Sequence, residues 1–280
     1  MKYLIFGNGY LGNQFNDYLG DEGVLSELRI SDERAVVAEI EKHNPEFVIN
    51  CLGKTGRPNV DWCEEHKVET MHSNVIVPAL IQAACEKKGK KMVHLSSGCL
   101  YSGDKNGRGF SEEDEPNFYG SFYSRTKILA ERILKEFDNV LIIRPRMPLD
   151  GKPSVRNLLD KLLKYEKVIS INNSISVIDD LLRITKELME CDASGVFNVV
   201  NKGAIKHDKI LGIFSEASGR KLDFEVISAH ELDAITLAKR SNCVLSVGKL
   251  ESLGIEVPEV HDAVKKCVAE YVMNLDEEFI

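Results

Sequence analysis

The chain has 280 residues, 43% hydrophobic and 29% charged, which suits a folded globular protein with one sizeable core and a smaller appended lobe. A formal net charge of -8 argues against nucleic acid or an anionic membrane as the main partner. No apolar run reaches the length of a membrane span, and the opening MKYLIFGNGY has no long apolar segment before its glycines, so the expected location is the cytoplasm.

Residues 2–6 read as a short apolar strand that stops at glycines, and the following LGNQFNDYL puts Leu11, Phe15, Tyr18 and Leu19 on one helical face. Further strands are expected over 24–28, 47–50, 91–95 and 140–144, with helical patterns over 32–43, 75–88 and 122–137. This alternation implies an α/β fold, a doubly wound parallel sheet whose ligands gather at the C-terminal strand ends. The segment RPRMPLDGKP breaks helix continuation and sets a soft boundary near Asp150. Residues 1–150 then form a nucleotide-binding domain and 151–280 a smaller substrate lobe, with strands over 168–171 and 196–200 and helices over 177–191, 208–218 and beyond Val260.

In GNGYLG, Gly7, Gly9 and Gly12 follow the first strand and open the first helix, with Asn8, Tyr10 and Leu11 filling the turn. Glycines there permit a tight turn and close approach to a pyrophosphate, whose charge the helix N-terminus favours. After the second strand, Glu27 can accept from a ribose 2′-hydroxyl, as in NAD sites, whereas Arg29 can receive a 2′-phosphate. The reading leans to NADPH, with NADH the alternative. Cys51, Leu52 and Gly53 end another strand and are candidates to line the same cofactor; an ordinary strand-end turn is the competing reading.

Tyr123 and Lys127 stand four apart in GSFYSRTK and so share one helical face. A lysine cation beside a phenol favours the phenolate, which suits proton transfer. Such a pair recurs by chance; its place after a nucleotide-type loop and the cluster Ser96-Ser97-Gly98-Cys99 gives it weight. The seven cysteines, Cys51, Cys63, Cys85, Cys99, Cys191, Cys243 and Cys267, lack CxxC spacing and read as reduced, mostly buried thiols, with no metal site expected. His72 and His94 have neither a nucleophile motif nor ligand partners at recognisable spacing, which favours structural roles.

This order of motifs resembles the extended short-chain dehydrogenase/reductases, although GNGYLG is one residue shorter than their usual GxxGxxG. The strings TGRPNVDWCE (55–64), SSGCLY (96–101), PNFYGSFYSRTK (116–127), EFDNV (136–140), RMP (146–148) and NSISVIDD (173–180) narrow the resemblance. They are similar to the 3,5-epimerase/4-reductases of nucleotide-rhamnose synthesis, which also form the C-terminal part of plant rhamnose synthases. The similarity runs from Lys2 to at least Asn201 and more weakly through RSNCVLSVGKL (240–250).

The resemblance implies segments from about 172–200 returning to the nucleotide domain, and a homodimer. It also implies conversion of UDP- or dTDP-4-keto-6-deoxyglucose to the L-rhamnose nucleotide. For the reduction it assigns Ser97 as donor to the C4 carbonyl, Tyr123 as proton donor and Lys127 as its tuner and a ribose contact. For the epimerisation it aligns Cys99 with the base and Lys167 with the opposing acid. Arg57, Asn59, Ser121, Arg146 and Arg240 are candidate substrate contacts, since a sugar diphosphate needs cations and hydrogen-bond donors; each is also compatible with a surface or capping role. Two alternatives stand beside this reading. One is a dTDP-4-dehydrorhamnose reductase without epimerase activity, and the other a non-catalytic dinucleotide-binding regulatory subunit.

Overall fold

The computed structural model describes residues 2–275. In chain order the elements are β1 (Tyr3–Phe6), α1 (Tyr10–Leu19), β2 (Gly23–Ser26), α2 (Glu33–His43), β3 (Phe47–Asn50), α3 (Trp62–Glu65) and α4 (Lys67–Met71). A π-helical turn (His72–Ile76) then leads into α5 (Val77–Lys88), β4 (Lys91–Leu95), α6 (Phe122–Leu134) and β5 (Val140–Arg144). There follow β6 (Pro148–Leu149), α7 (Leu158–Leu162), β7 (Lys167–Ile169), β8 (Ser176–Val177), α8 (Ile178–Glu190) and β9 (Gly195–Asn198). The last elements are α9 (His207–Ser218), β10 (Glu225–Ile227), α10 (Ala229–Ile235), α11 (Gly248–Ser252) and α12 (Val260–Met273).

The expected strands and helices are present with shifted ends. The second strand stops at Ser26 rather than residue 28, because the Ser26 hydroxyl accepts from the Leu28 amide and turns the chain. The helix expected over 122–137 ends at Leu134, and Asp32 caps α2 from outside by accepting from the Ala35 amide at 3.0 Å.

The chain forms two compact units. The first comprises 1–100, 116–144 and 185–197, the second 101–115, 145–184 and 198–280. The second unit resumes at Pro145, five residues before the boundary expected near Asp150, and 185–197 lie in the first unit, within the span 172–200 expected to return to it; the excursion 101–115 in the second unit was not expected.

The first unit holds a six-stranded sheet in the order β2-β1-β3-β4-β5-β9, and β2 through β5 are joined by parallel pairings. The chain winds from β1 out to β2 and returns on the other side to β3, so a crevice opens beyond the C-terminal ends of β1 and β3. Leu4, Phe6, Val48, Met92, Val140 and Ile142 pack with Val36 and Ile40 of α2, Ile81 and Cys85 of α5, and Leu134 of α6. Side chains alternate along a strand, so the next inward position on that face is Asn50, His94 and Arg144. These three are fully buried polar residues where the apolar core gives way to the strand ends.

In the second unit β6 pairs with β8 and β7 with β10, both parallel. Its core joins Leu159 and Leu162 of α7, Ile210, Leu211 and Phe214 of α9, and Val264, Val268 and Tyr271 of α12.

Candidate active site

The glycine loop is built by contact. Gly7 has φ +114°, and a Cβ there would lie 2.9 Å from the Cys51 carbonyl carbon. A Cβ at Gly12 would lie 1.9 Å from the Gly7 carbonyl oxygen, so α1 can start against β1 only without a side chain at that position. Gly9 differs: a Cβ there would meet nothing within 4 Å, and the residue N-caps α1 with no side-chain hydrogen bond. The protein does not require glycine at that position, whereas a pyrophosphate on the helix N-terminus does. The turn is steadied by Asn13, whose amide donates to Asn8 Oδ1 at 3.0 Å and to the Gly9 carbonyl at 2.7 Å. Tyr10 and Leu11 lie in the first turn of α1.

Beside this loop a cavity of about 870 Å³ is lined by Gly7, Asn8, Glu27, Arg29, Leu52, Lys54, His72 and Ser73, among others. It brings together four of the expected cofactor residues, Gly7, Asn8, Arg29 and Leu52, and it places Glu27 and Arg29 on the same wall. The Ser26 hydroxyl between β2 and that wall is engaged, donating to Glu39 at 2.8 Å.

Register explains how the β3 end is held. Asn50 and His94 are cross-strand partners, and the Asn50 amide nitrogen lies 3.0 Å from His94 Nδ1. The amide donates, which assigns the imidazole proton to Nε2. Asn50 Oδ1 in turn accepts from the Leu52 amide at 3.0 Å, fixing the Cys51–Gly53 turn. Burial, with Lys127 nearby, holds the His94 pKa well below its ordinary value, so the ring is a neutral support. Burial also pushes the Cys51 thiol up to about 12.

Tyr123 and Lys127 face inward from α6, 7% and 4% exposed. Lys127 Nζ donates to the Leu95 carbonyl at 2.8 Å, and a Cβ at Gly53 would stand 3.4 Å from the same nitrogen. Burial lowers the Lys127 pKa to about 8, against the opposing pull of the Glu131 carboxylate. Two residues beyond Leu95, the Ser97 hydroxyl accepts from the Cys99 amide at 3.1 Å. Its oxygen is thereby oriented and its own proton is directed elsewhere. Ser97 is 6% exposed and Cys99 is half-buried.

Several supporting residues were not legible in the sequence. Asn74, fully buried in the π-helical turn, accepts from the Lys54 amide at 2.7 Å and donates to the Lys54 carbonyl at 3.1 Å and Thr126 Oγ1 at 3.0 Å. Thr126 Oγ1 donates to the Tyr123 carbonyl at 2.7 Å, so one amide ties the loop after β3 to the helix carrying Tyr123. Glu64 accepts from the Phe122 amide at 2.5 Å, placing a carboxylate at the start of α6. Polar residues closing otherwise apolar strands, as in FVIN and VLIIR, are the signal that points to this layer.

The expected substrate contacts separate. In TGRPNVDWCE, Gly56 at φ +75° and the ring of Trp62, stacked on His66 at 4.0 Å, build a tight loop. Arg57 is exposed on this loop, and Asn59 accepts from the Asp61 amide at 2.8 Å. Ser121 is the N-cap of α6, accepting from the Ser124 amide at 3.1 Å, and is 2% exposed; its hydroxyl is committed to the helix. The other candidates belong to the second unit. Arg146 is 1% exposed and donates to Asn173 Oδ1 at 2.7 Å and the Ser241 carbonyl at 2.5 Å, which makes it an interior crosslink rather than an open cation. Arg240 donates to the Ala238 carbonyl at 2.5 Å. Lys167 opens β7, half-exposed and ion-paired with Glu225 at 3.2 Å.

The parallel sheet, the glycine cradle at its switch point and the inward Tyr123/Lys127 pair define an extended short-chain dehydrogenase/reductase type of protein. The chain belongs to the RmlD substrate binding domain family, whose pattern matches residues 1–273. It is 35% identical over 279 residues to the bifunctional dTDP-4-dehydrorhamnose 3,5-epimerase/dTDP-4-dehydrorhamnose reductase of Arabidopsis thaliana, spanning 96% of this chain and 93% of that protein. It is 35% identical to a trifunctional UDP-glucose 4,6-dehydratase/3,5-epimerase/reductase of the same plant, covering 97% of this chain but 41% of the longer protein. Among solved structures, the L780 UDP-rhamnose synthase of Acanthamoeba polyphaga mimivirus superposes with a TM-score of 0.91 at 32% identity, over 96% of this chain and 99% of that one.

Proposed function

We propose that this chain is an NADPH-dependent nucleotide-sugar enzyme that epimerises a UDP- or dTDP-linked 4-keto-6-deoxyglucose at C3 and C5 and reduces it at C4. The observation that carries the reading is the single turn that holds both a hydrogen-bond donor and a thiol, Ser97 and Cys99, joined by their 3.1 Å hydrogen bond. The glycine cradle and the cavity walled by Arg29 and Lys54 suit a dinucleotide with an extra phosphate. When bound, NADPH supplies the hydride for C4.

The chain's own residues do the rest. With its oxygen engaged by the Cys99 amide, Ser97 donates its proton in a hydrogen bond to the C4 carbonyl oxygen, where negative charge develops. Tyr123 passes its phenolic proton to the forming alkoxide. Lys127, fixed by the Leu95 carbonyl, favours the phenolate left behind. In the preceding epimerisation Cys99 is the base that removes the proton beside the ketone, and the resulting enolate oxygen is the one Ser97 already addresses. Lys167 is assigned the returning proton by family resemblance. Arg57 and Asn59 are the retained candidates for the nucleotide sugar in the first unit.

The test is product analysis by NMR after incubation of UDP-4-keto-6-deoxyglucose, NADPH and the protein in deuterated water. Deuterium at C3 and C5 of UDP-L-rhamnose is expected. A C4-reduced sugar carrying protium at both positions reduces the function to the reductase alone, and cofactor binding without turnover on UDP or dTDP sugars leaves a binding subunit.

A further inference from the structure

Helix α6 presents three inward positions at four-residue spacing, Tyr123, Lys127 and Glu131. Glu131 is 2% exposed, a carboxylate far from water. Its Oε2 accepts from the Ser96 hydroxyl at 2.9 Å and from Arg144 Nε at 3.1 Å, and Oε1 accepts from Arg144 Nη2. Arg144, fully buried at the end of β5, is thus its counter-ion. The Ser96 backbone is held as well, its amide donating to the Ile143 carbonyl at 2.8 Å.

The end of β4 is therefore tied to α6 at two successive residues. Leu95 is held through its carbonyl by Lys127 and Ser96 through its hydroxyl by Glu131. The next residue is Ser97. A strand end held by one bond can pivot about it, whereas two bonds one residue apart fix both the position and the direction of the chain beyond them. We propose that Glu131 is a positioning residue for the reduction, clamping Ser96 so that the Ser97 hydroxyl keeps its place relative to the Tyr123 phenol. This rests on the proton-handling roles given above to Ser97 and Tyr123. Misplacement of a reacting group by about 1 Å lowers a rate on the order of a hundredfold, so a clamp that touches neither substrate nor cofactor still governs turnover.

The carboxylate also acts by its charge. The titratable groups that bear on Lys127 are Glu131 on its own helix, Cys51 after β3, His94 on β4 and Cys99 beyond it. Glu131 heads the charges that support the ammonium form, so neutralising it lets Lys127 lose its proton at lower pH.

The decisive comparison uses reduction of UDP-4-keto-rhamnose by NADPH in Ser96→Ala, Glu131→Gln and Tyr123→Phe. Ser96→Ala removes one rung and leaves the buried ion pair intact; it is expected to lower kcat tenfold or more with KM for both substrates within twofold and an unmoved alkaline limb. Glu131→Gln is expected to lower kcat and shift that limb to lower pH. If Ser96→Ala keeps kcat within twofold of the parent, the clamp is overturned, whether or not Glu131→Gln folds. An unmoved limb in a folded Glu131→Gln overturns the charge effect. Full turnover by Tyr123→Phe overturns instead the assignment of the proton donor on which the clamp rests.

Discussion

The carbonyl oxygen of Gly7 occupies the space a side chain at residue 12 would need, 1.9 Å from the position of a Cβ on Gly12. Gly9, between them, faces open space. Gly12→Ala is therefore expected to disrupt the loop and destabilise the first unit, whereas Gly9→Ala is expected to leave the melting temperature nearly unchanged and weaken NADPH binding. Thermal unfolding with and without NADPH separates the two. A Gly9→Ala protein that binds NADPH as well as the parent removes the pyrophosphate from that turn.

Lys127 sets a pH dependence. Its pKa in the fold is about 8, against an ordinary value of 10.5. Loss of its proton above pH 8 withdraws the cation beside Tyr123, so kcat/KM for reduction is expected to fall above about pH 8. Stability runs the other way: between about 8 and 10.5 the unfolded chain binds more protons at this site than the folded one, so this residue's contribution rises with pH across that window. Urea unfolding of Lys127→Met beside the parent should show a stability difference that changes in that range and is flat below it.

Asn74 joins the loop after β3 to α6 through three hydrogen bonds inside the protein. Asn74→Ala leaves the Lys54 amide and carbonyl without that partner and is expected to destabilise by about 2–4 kcal/mol. NADPH affinity should fall as well, since Lys54 lines the cofactor cavity. Denaturant unfolding and fluorescence titration measure the two effects independently.

Lys167 and Glu225 form an ion pair that is more than half exposed on both sides. Such a pair is worth less than about 1 kcal/mol, so Lys167→Ala should fold normally. If Lys167 returns the proton in epimerisation, this variant and Cys99→Ser should lose deuterium incorporation while still reducing a substrate already epimerised. Incorporation at the parent rate in Lys167→Ala assigns the acid elsewhere.

In the second unit His207 lies 3.3 Å from the Met147 sulfur, and burial, with the Arg146 cation, pushes its pKa down to about 4. The unfolded imidazole protonates near 6.5, so the fold loses stability as pH falls from about 6.5 to about 4, by up to about 3 kcal/mol from this residue. His207→Gln should flatten that acid limb in unfolding curves taken at pH 7 and pH 4.5.

Much of this protein was determined by local sequence. The alternation of apolar strands with amphipathic helices gives the parallel sheet, and a strand followed at once by GNGYLG gives the nucleotide turn, because hydrophobic periodicity and glycine's freedom act over a few residues. The Tyr123/Lys127 spacing likewise follows from the helical repeat alone. What only the tertiary structure decided are the contacts across the sheet. Asn50 meets His94 through strand register, Ser96 and Arg144 meet Glu131 because β4 and β5 end side by side beneath α6, and Asn74 reaches both Lys54 and Thr126 from a π-helical turn. For Arg146 and Ser121 the sequence left a substrate contact and a structural role side by side, and the fold shows the hydrogen bonds each makes within its own unit, Arg146 to Asn173 and Ser121 as the cap of α6. A residue's type fixes what it can bond to; its burial and its neighbours, set by chain segments up to a hundred positions away, fix what it does bond to.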